Sequence, residues 1–427
     1  MESVLEGVVA TSERVERTQI CFNKETGLIL EVGNLGVAQD QVDYFYDDDC
    51  LIFAGMGDVH IHAREDKSKK HLYKEDFFSS SQAALHGGVT HVSDMPNNPI
   101  PPIDDLSYRE KLALTLKTGF PFFLYAGIGP ETSPLTFTIP YKAYMGPSVG
   151  ELFFKNNEEL EEVLKAYKGQ FVSFHCEDPE ILEECKGRPD HELRRPVRAE
   201  VMATKKALEL IEKYELKGKL CHYSSKEGLP KILQAKKRGL SVECEVTPQH
   251  LYFNQSLLDN SLHDKKTFMQ MNPPIRSIED QEFMLESFLR GDIDYLATDH
   301  APHTWEEKGK GTSGLPGLDT YGGFVTWLLV EKKMDPKLVS LACSEKPGRF
   351  VNNFLPSLRK CEKEFERFGK GFGFLVPGHV ASFTVLNLKR PWTVKKEDLK
   401  TKAQWSPFLD VTFPGSVESV FLMGSKM

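Results

Sequence analysis

The stretch FAGMGDVHIHAREDKS, residues 53–68, sets His60 and His62 one residue apart, with Arg64 two residues further on. In extended chain, side chains at i and i+2 point to the same face. His60 and His62 can therefore present two neutral imidazoles to one metal ion, a common use of histidine. Such a pair also occurs as ordinary surface or core histidines, so its meaning depends on the rest of the chain. Other apolar stretches end in the same kinds of group. Lys142 sits in YKAYMG, His175 follows FVSF, His222 follows GKLC, and Asp299 stands in LATDHAPHT. An acid after a strand can simply cap the next turn. A lysine inside an apolar strand is costly unless it is paired or neutralised. It reads as a residue snorkelling to a rim, a Schiff-base lysine, a desolvated amine, or a carbamate whose two anionic oxygens can bridge two cations.

These groups need a scaffold that gathers strand ends. The middle of the chain alternates strand-like and helix-like stretches, the signature of a parallel sheet. LIFAGMGDVH, VTHVSDM, FFLYAG, IPYKAYMG, FVSFHCE, GKLCHYS, LSVECEV and DYLATDH read as eight strands. Stretches such as KEDFFSSSQAALHGG and NNEELEEVLKAYKG combine a polar start, helical spacing and a terminal glycine. Eight strand–helix units form a (β/α)8 TIM-like barrel, an α/β fold whose reactive side chains sit at the C-terminal ends of the strands. The first fifty residues read as short strands with a turn at NKETG, and the texture returns in GHVASFTVLNLKRPWTV and SVESVFLMGSKM. The expected organisation is a small β domain from residues 1–50 and 376–427, with the barrel spanning 51–375.

A net charge of -9 argues against nucleic acid or an anionic membrane as partner, because nothing offsets phosphate repulsion. Apolar runs such as FVTWLLV fall short of the roughly twenty residues of a membrane span. No basic-then-apolar leader opens the sequence, and the eight cysteines form no CxxC pair. Neither a disulfide framework nor a zinc ribbon is indicated, and a reducing cytoplasm is the expected compartment.

Together the motifs resemble the amidohydrolase superfamily of binuclear metal hydrolases, and within it the dihydroorotases. DVHIHARE resembles the first metal motif, DMPNNPIPP the substrate asparagine segment and YKAYMG the carboxylated-lysine strand. CHYSSKEGLPKILQAKKRGLSVECEVTPQHL and ATDHAPHTWEEKGKGTSGLPGLDT are similar to dihydroorotases in particular. The resemblance implies two Zn2+ per subunit. His60, His62 and Asp299 would serve one ion, His175 and His222 the other, and Lys142, as N6-carboxylysine, would bridge them. Arg64, Asn97 and His303 would hold the substrate carboxylate, Asn272 would lie beside the ring, and Pro316 and Gly317 would offer backbone groups to the ring amide. Asp299 would be the catalytic acid and base. The implied reaction is the reversible cyclisation of N-carbamoyl-L-aspartate to L-dihydroorotate in de novo pyrimidine (UMP) biosynthesis. Two departures stand out. Glu65 is followed by Asp66 and Lys67 where relatives often carry Pro-Gly, and lysine stands at 142 where some bacterial relatives use aspartate. A related cyclic amidase (dihydropyrimidinase/hydantoinase or allantoinase) and a non-catalytic dihydroorotase-like partner protein are the alternative readings. The residues do not decide between a monomer and a homodimer, a common state among relatives. They also leave open an association with aspartate transcarbamoylase, and whether Cys221 or Glu245 touches a further metal.

Overall fold

The computed structural model describes residues 1–147, 152–260 and 262–427. Five strands come first: β1 (Glu2–Ala10), β2 (Val15–Asn23), β3 (Leu28–Gly33), β4 (Tyr44–Phe45) and β5 (Cys50–Ala54). In β1 the alternate residues Ser3, Leu5, Gly7 and Val9 are buried, the period of a strand with one face on a core. Nine strands follow that belong to the barrel: β6 (Met56–Ile61), β7 (Val89–Asp94), β8 (Phe122–Leu124), β9 (Ala126–Ile128), β10 (Pro140–Tyr144), β11 (Phe171–His175), β12 (Lys217–Leu220), β13 (Val242–Val246) and β14 (Tyr295–Leu296). The chain closes with β15 (Phe383–Asn387), β16 (Trp392–Thr393), β17 (Thr412–Phe413), β18 (Ser416–Leu422) and β19 (Ser425–Lys426).

Both ends of the chain share one sheet, in the order β19-β18-β15-β5-β1-β2-β3, with β4 beside β1. Its core includes Leu5, Ile20, Phe22, Ile52, Phe383 and Phe421. The barrel strands run parallel in two arcs, β6-β7-β8 and β9 to β14. Ile61 bridges His300 in parallel and links the first strand to the last. The fold is thus a (β/α)8 barrel with a small β domain formed by the terminal segments.

Two strands read from the sequence as continuous are broken. LIFAGMGDVH divides at Gly55: β5 joins the terminal sheet, parallel to β1 and antiparallel to β15, and only β6 enters the barrel. FFLYAG divides at Tyr125, whose hydroxyl donates to the Val59 carbonyl across the barrel at 3.0 Å. The helices match their sequence signals. Asp76 and Ser79 form a capping box at the head of Phe77–His86, and Asn156 caps Asn157–Leu164. All eight cysteines are free. No helix among the described residues is long and apolar enough to cross a membrane.

Candidate active site

His60 is the penultimate residue of β6, and His62 follows one residue beyond the strand. Each imidazole is fixed from behind. His60 Nδ1–H donates to Glu245, and His62 Nδ1–H donates to Asn97 Oδ1 at 2.7 Å. These partners assign the tautomers and leave both Nε2 lone pairs facing inward. Both meet the same atom: Asp299 Oδ1 lies 3.2 Å from His60 Nε2 and 3.1 Å from His62 Nε2. Burial and nearby cations, chiefly Lys142 for His60 and Arg64 for His62, hold both imidazoles well below their ordinary pKa. Two neutral lone pairs turned toward a carboxylate repel unless a cation lies between them. The donor set therefore fits a metal, and the three ligand atoms lie within 4.8 Å of one another.

The other half is built alike. His175 Nε2–H donates to Glu177 at 2.8 Å, so its Nδ1 lone pair turns inward, 2.9 Å from His222 Nε2. Glu177 is itself paired with Arg195. His222 lies two residues past β12 at φ +35°, and its amide donates to Glu245. Burial again lowers both pKa values. Lys142, on β10 and fully buried, donates to Cys221 Sγ at 2.8 Å, and among the described residues no carboxylate lies within ion-pair distance of it. Glu245, which the sequence left open, links His60 to Lys219. With Cys221 and His60 it forms a second cluster of converging ligand atoms. Asp299 sits in a left-handed turn at φ +47°, and burial raises its pKa to about 7 against the pull of Lys142.

Of the six expected substrate residues, three line the cavity of this cluster, and His303, Pro316 and Gly317 do not. Arg64, Asn97 and Asn272 line the same cavity as the histidines and Asp299. Arg64 reaches it through a turn at φ +63° rather than by strand alternation, since β6 ends at Ile61. Its Nη2 donates to His303 Nε2 at 3.2 Å, while its Nε has no hydrogen-bond partner among the described residues. His303 Nδ1–H faces Glu307 at 3.3 Å, and burial with Arg64 and Lys74 pushes its pKa far down. Asn272 Oδ1 is buried without a partner among the described residues. Pro316 and Gly317 do not line the cavity, and the Gly317 N–H is committed to His300 Nδ1 at 3.1 Å. Tyr144 is a lining residue that the sequence reading missed. It stands two residues after Lys142 on β10, so strand periodicity aims both the same way.

Barrel, companion sheet and a histidine–carboxylate cluster at the strand ends define the amidohydrolase class. No family model matches the chain. Among solved structures it is similar to an L-hydantoinase (dihydropyrimidinase) from Arthrobacter aurescens. The TM-score is 0.86 and the identity 22%, over 100% of this chain and 96% of that one. A D-hydantoinase gives a TM-score of 0.80 at 21% identity, over 100% of this chain and 95% of the other. At these identities the likeness shows the fold. Sequence relatives are closer. A dihydroorotase of Thermococcus kodakarensis is 33% identical over 414 residues, 94% of this chain and 88% of that protein. One of Pyrococcus furiosus is 30% identical, covering 99% and 92%. The chain belongs to the dihydroorotase family.

Proposed function

We propose that this protein is a dihydroorotase that interconverts N-carbamoyl-L-aspartate and L-dihydroorotate, with a place in pyrimidine biosynthesis. One observation carries the reading. The histidine lone pairs around Asp299 share a cavity with a buried arginine whose guanidinium, among the described residues, still has an unused N–H. A ring amide at the first group and a carboxylate at the second describe dihydroorotate, whereas dihydrouracil and hydantoins lack the carboxylate.

His60, His62 and Asp299 would hold one zinc ion, His175 and His222 a second, and Lys142 would bridge them as a carbamate. Carboxylation answers the cost of a fully buried amine that has no carboxylate partner among the described residues. When bound, such a metal pair supplies Lewis acidity to the amide carbonyl and lowers the pKa of a water toward neutrality. Arg64 binds the substrate carboxylate through its planar fork, and Asn97 and His303 complete that subsite. Asn272 Oδ1 is positioned to accept from a ring N–H. In hydrolysis Asp299 takes a proton from the attacking water and delivers it to the leaving ring nitrogen; in cyclisation it takes one from the ureido nitrogen.

The test is a three-substrate assay of the metal-loaded protein with L-dihydroorotate, dihydrouracil and allantoin, alongside metal analysis. Turnover of dihydroorotate alone supports the reading. A preference for either other amide assigns the chain to a sister amidase. Absence of bound metal and of all turnover makes it a non-catalytic relative.

A further inference from the structure

Lys308 lies on the short helix Trp305–Gly309, five residues after His303. Its side chain is fully buried. The ammonium donates to three backbone carbonyls, Gln270 at 2.8 Å, Thr312 at 2.6 Å and Gly314 at 2.9 Å, so every N–H bond is used. Among the described residues no carboxylate lies within ion-pair distance of it. A buried, unpaired positive charge is expensive, and three aligned carbonyl dipoles are the compensation found here.

The carbonyls belong to two segments that both face the cavity. Gln270 stands two residues before Asn272, and Thr312 and Gly314 flank Ser313; Asn272, Ser313 and Gly314 are all cavity-lining. The Gly314 N–H also donates to the Gln270 carbonyl at 2.9 Å, so the segments are stitched together at the point the ammonium grips. The Trp405 ring lies 5.8 Å from the Lys308 nitrogen, and its indole N–H donates to the His303 carbonyl at 2.8 Å. The lysine is thus built into the wall that carries Asn272 and Gly314, and through Trp405 it borders the backbone of His303.

We propose that Lys308 is a positioning residue that clamps the 270–272 and 312–314 segments into one rigid wall. The proposal deepens the dihydroorotase reading and rests on it for the identity of the substrate. It assigns Lys308 no contact with the reacting atoms, so its loss should weaken substrate binding more than turnover.

The experiment compares the metal-loaded full chain with Lys308→Met, which keeps the length and removes the donors. KM for L-dihydroorotate is expected to rise at least tenfold, with kcat within threefold and bound metal unchanged. Amide hydrogen exchange is expected to accelerate in peptides covering 268–273 and 311–317 and to stay unchanged in β1, β2 and β18. Lys308→Arg keeps the charge but spreads the donors, and should give an intermediate KM. If Lys308→Met fails to fold, the arginine variant is read by the same split. An unchanged KM with unchanged exchange overturns the clamp, as does a parallel loss of kcat and metal. If the parent protein does not process dihydroorotate, the functional reading falls, while the exchange measurement still decides the clamp.

Discussion

Arg64 and Asp299 separate binding from chemistry within one cavity, and their loss should look different. Arg64 has one N–H on His303 and, among the described residues, another without a partner, so on the proposed reading its work is to meet an anion. Arg64→Ala should raise KM for dihydroorotate about a hundredfold, or ~3 kcal/mol, the usual scale for truncating one side of a buried charge pair. Turnover at saturation should change far less, which steady-state kinetics will show. Asp299→Ala removes the proposed proton carrier, and kcat should fall by about three orders of magnitude or more. Metal should largely stay bound through His60, His62 and the other ligands. Near-normal turnover in that variant would place the proton elsewhere. How far residues were readable follows from the same physics. His60, His62, His175 and Asp299 stand at strand ends, where spacing and residue type speak together. Tyr144 shared that signal through its offset from Lys142. Lys308 had no signal: in WEEKGKG it reads as part of a solvated charge run. Only the folded loops supply the carbonyls that bury it.

Elements hold these side chains through contacts that strand and helix patterns do not encode. The helix Phe77–His86 ends at Gly87, and a Cβ built there would sit 1.9 Å from the Leu318 carbonyl oxygen. Leu318 follows Gly317 in the segment that His300 grips through two amides. Gly87→Ala should therefore cost about 2–4 kcal/mol through overpacking against backbone, read as a lower urea midpoint. A second prediction concerns acid. Glu161 on Asn157–Leu164 pairs with Lys206 and Lys213 of the helix Val197–Lys213, and these hydrogen bonds lower its pKa to about 2. A depressed carboxylate stabilises the fold above its unfolded pKa, and the contribution is lost as pH falls from about 4.5 toward 2. Glu161→Gln should lower stability at pH 6 and narrow its gap to the parent below pH 4, measured by denaturant melts across pH. Helix caps were legible because Asp76 and Asn156 act locally. The break at Gly55 was not, because LIFAGMG runs on without a polar residue and only tertiary pairing decides which half joins which sheet.

At the scale of the molecule, the barrel was readable from alternation, while the partnership of the two chain ends could be inferred only from shared texture. Phe421 of β18 shows how tightly that partnership is made. Its ring meets Tyr44 at 4.9 Å, Phe383 at 5.7 Å and Phe22 at 6.1 Å, joining strands from both ends of the chain in one core. Phe421→Ala should cost about 3–5 kcal/mol, seen as a drop in the thermal midpoint, and an unchanged midpoint would mean this core adds nothing to stability. The same sheet has a practical corollary. The Lys24 amide donates to the Met1 carbonyl at 2.9 Å, and a Cβ at Gly424 would lie 3.1 Å from the Asn23 carbonyl oxygen and 3.1 Å from Lys24 Cα, so beginning and end converge on one turn. A short peptide splice from Met427 back to Met1 would make the polypeptide a ring, free to be reopened at a surface loop far from the histidine cluster.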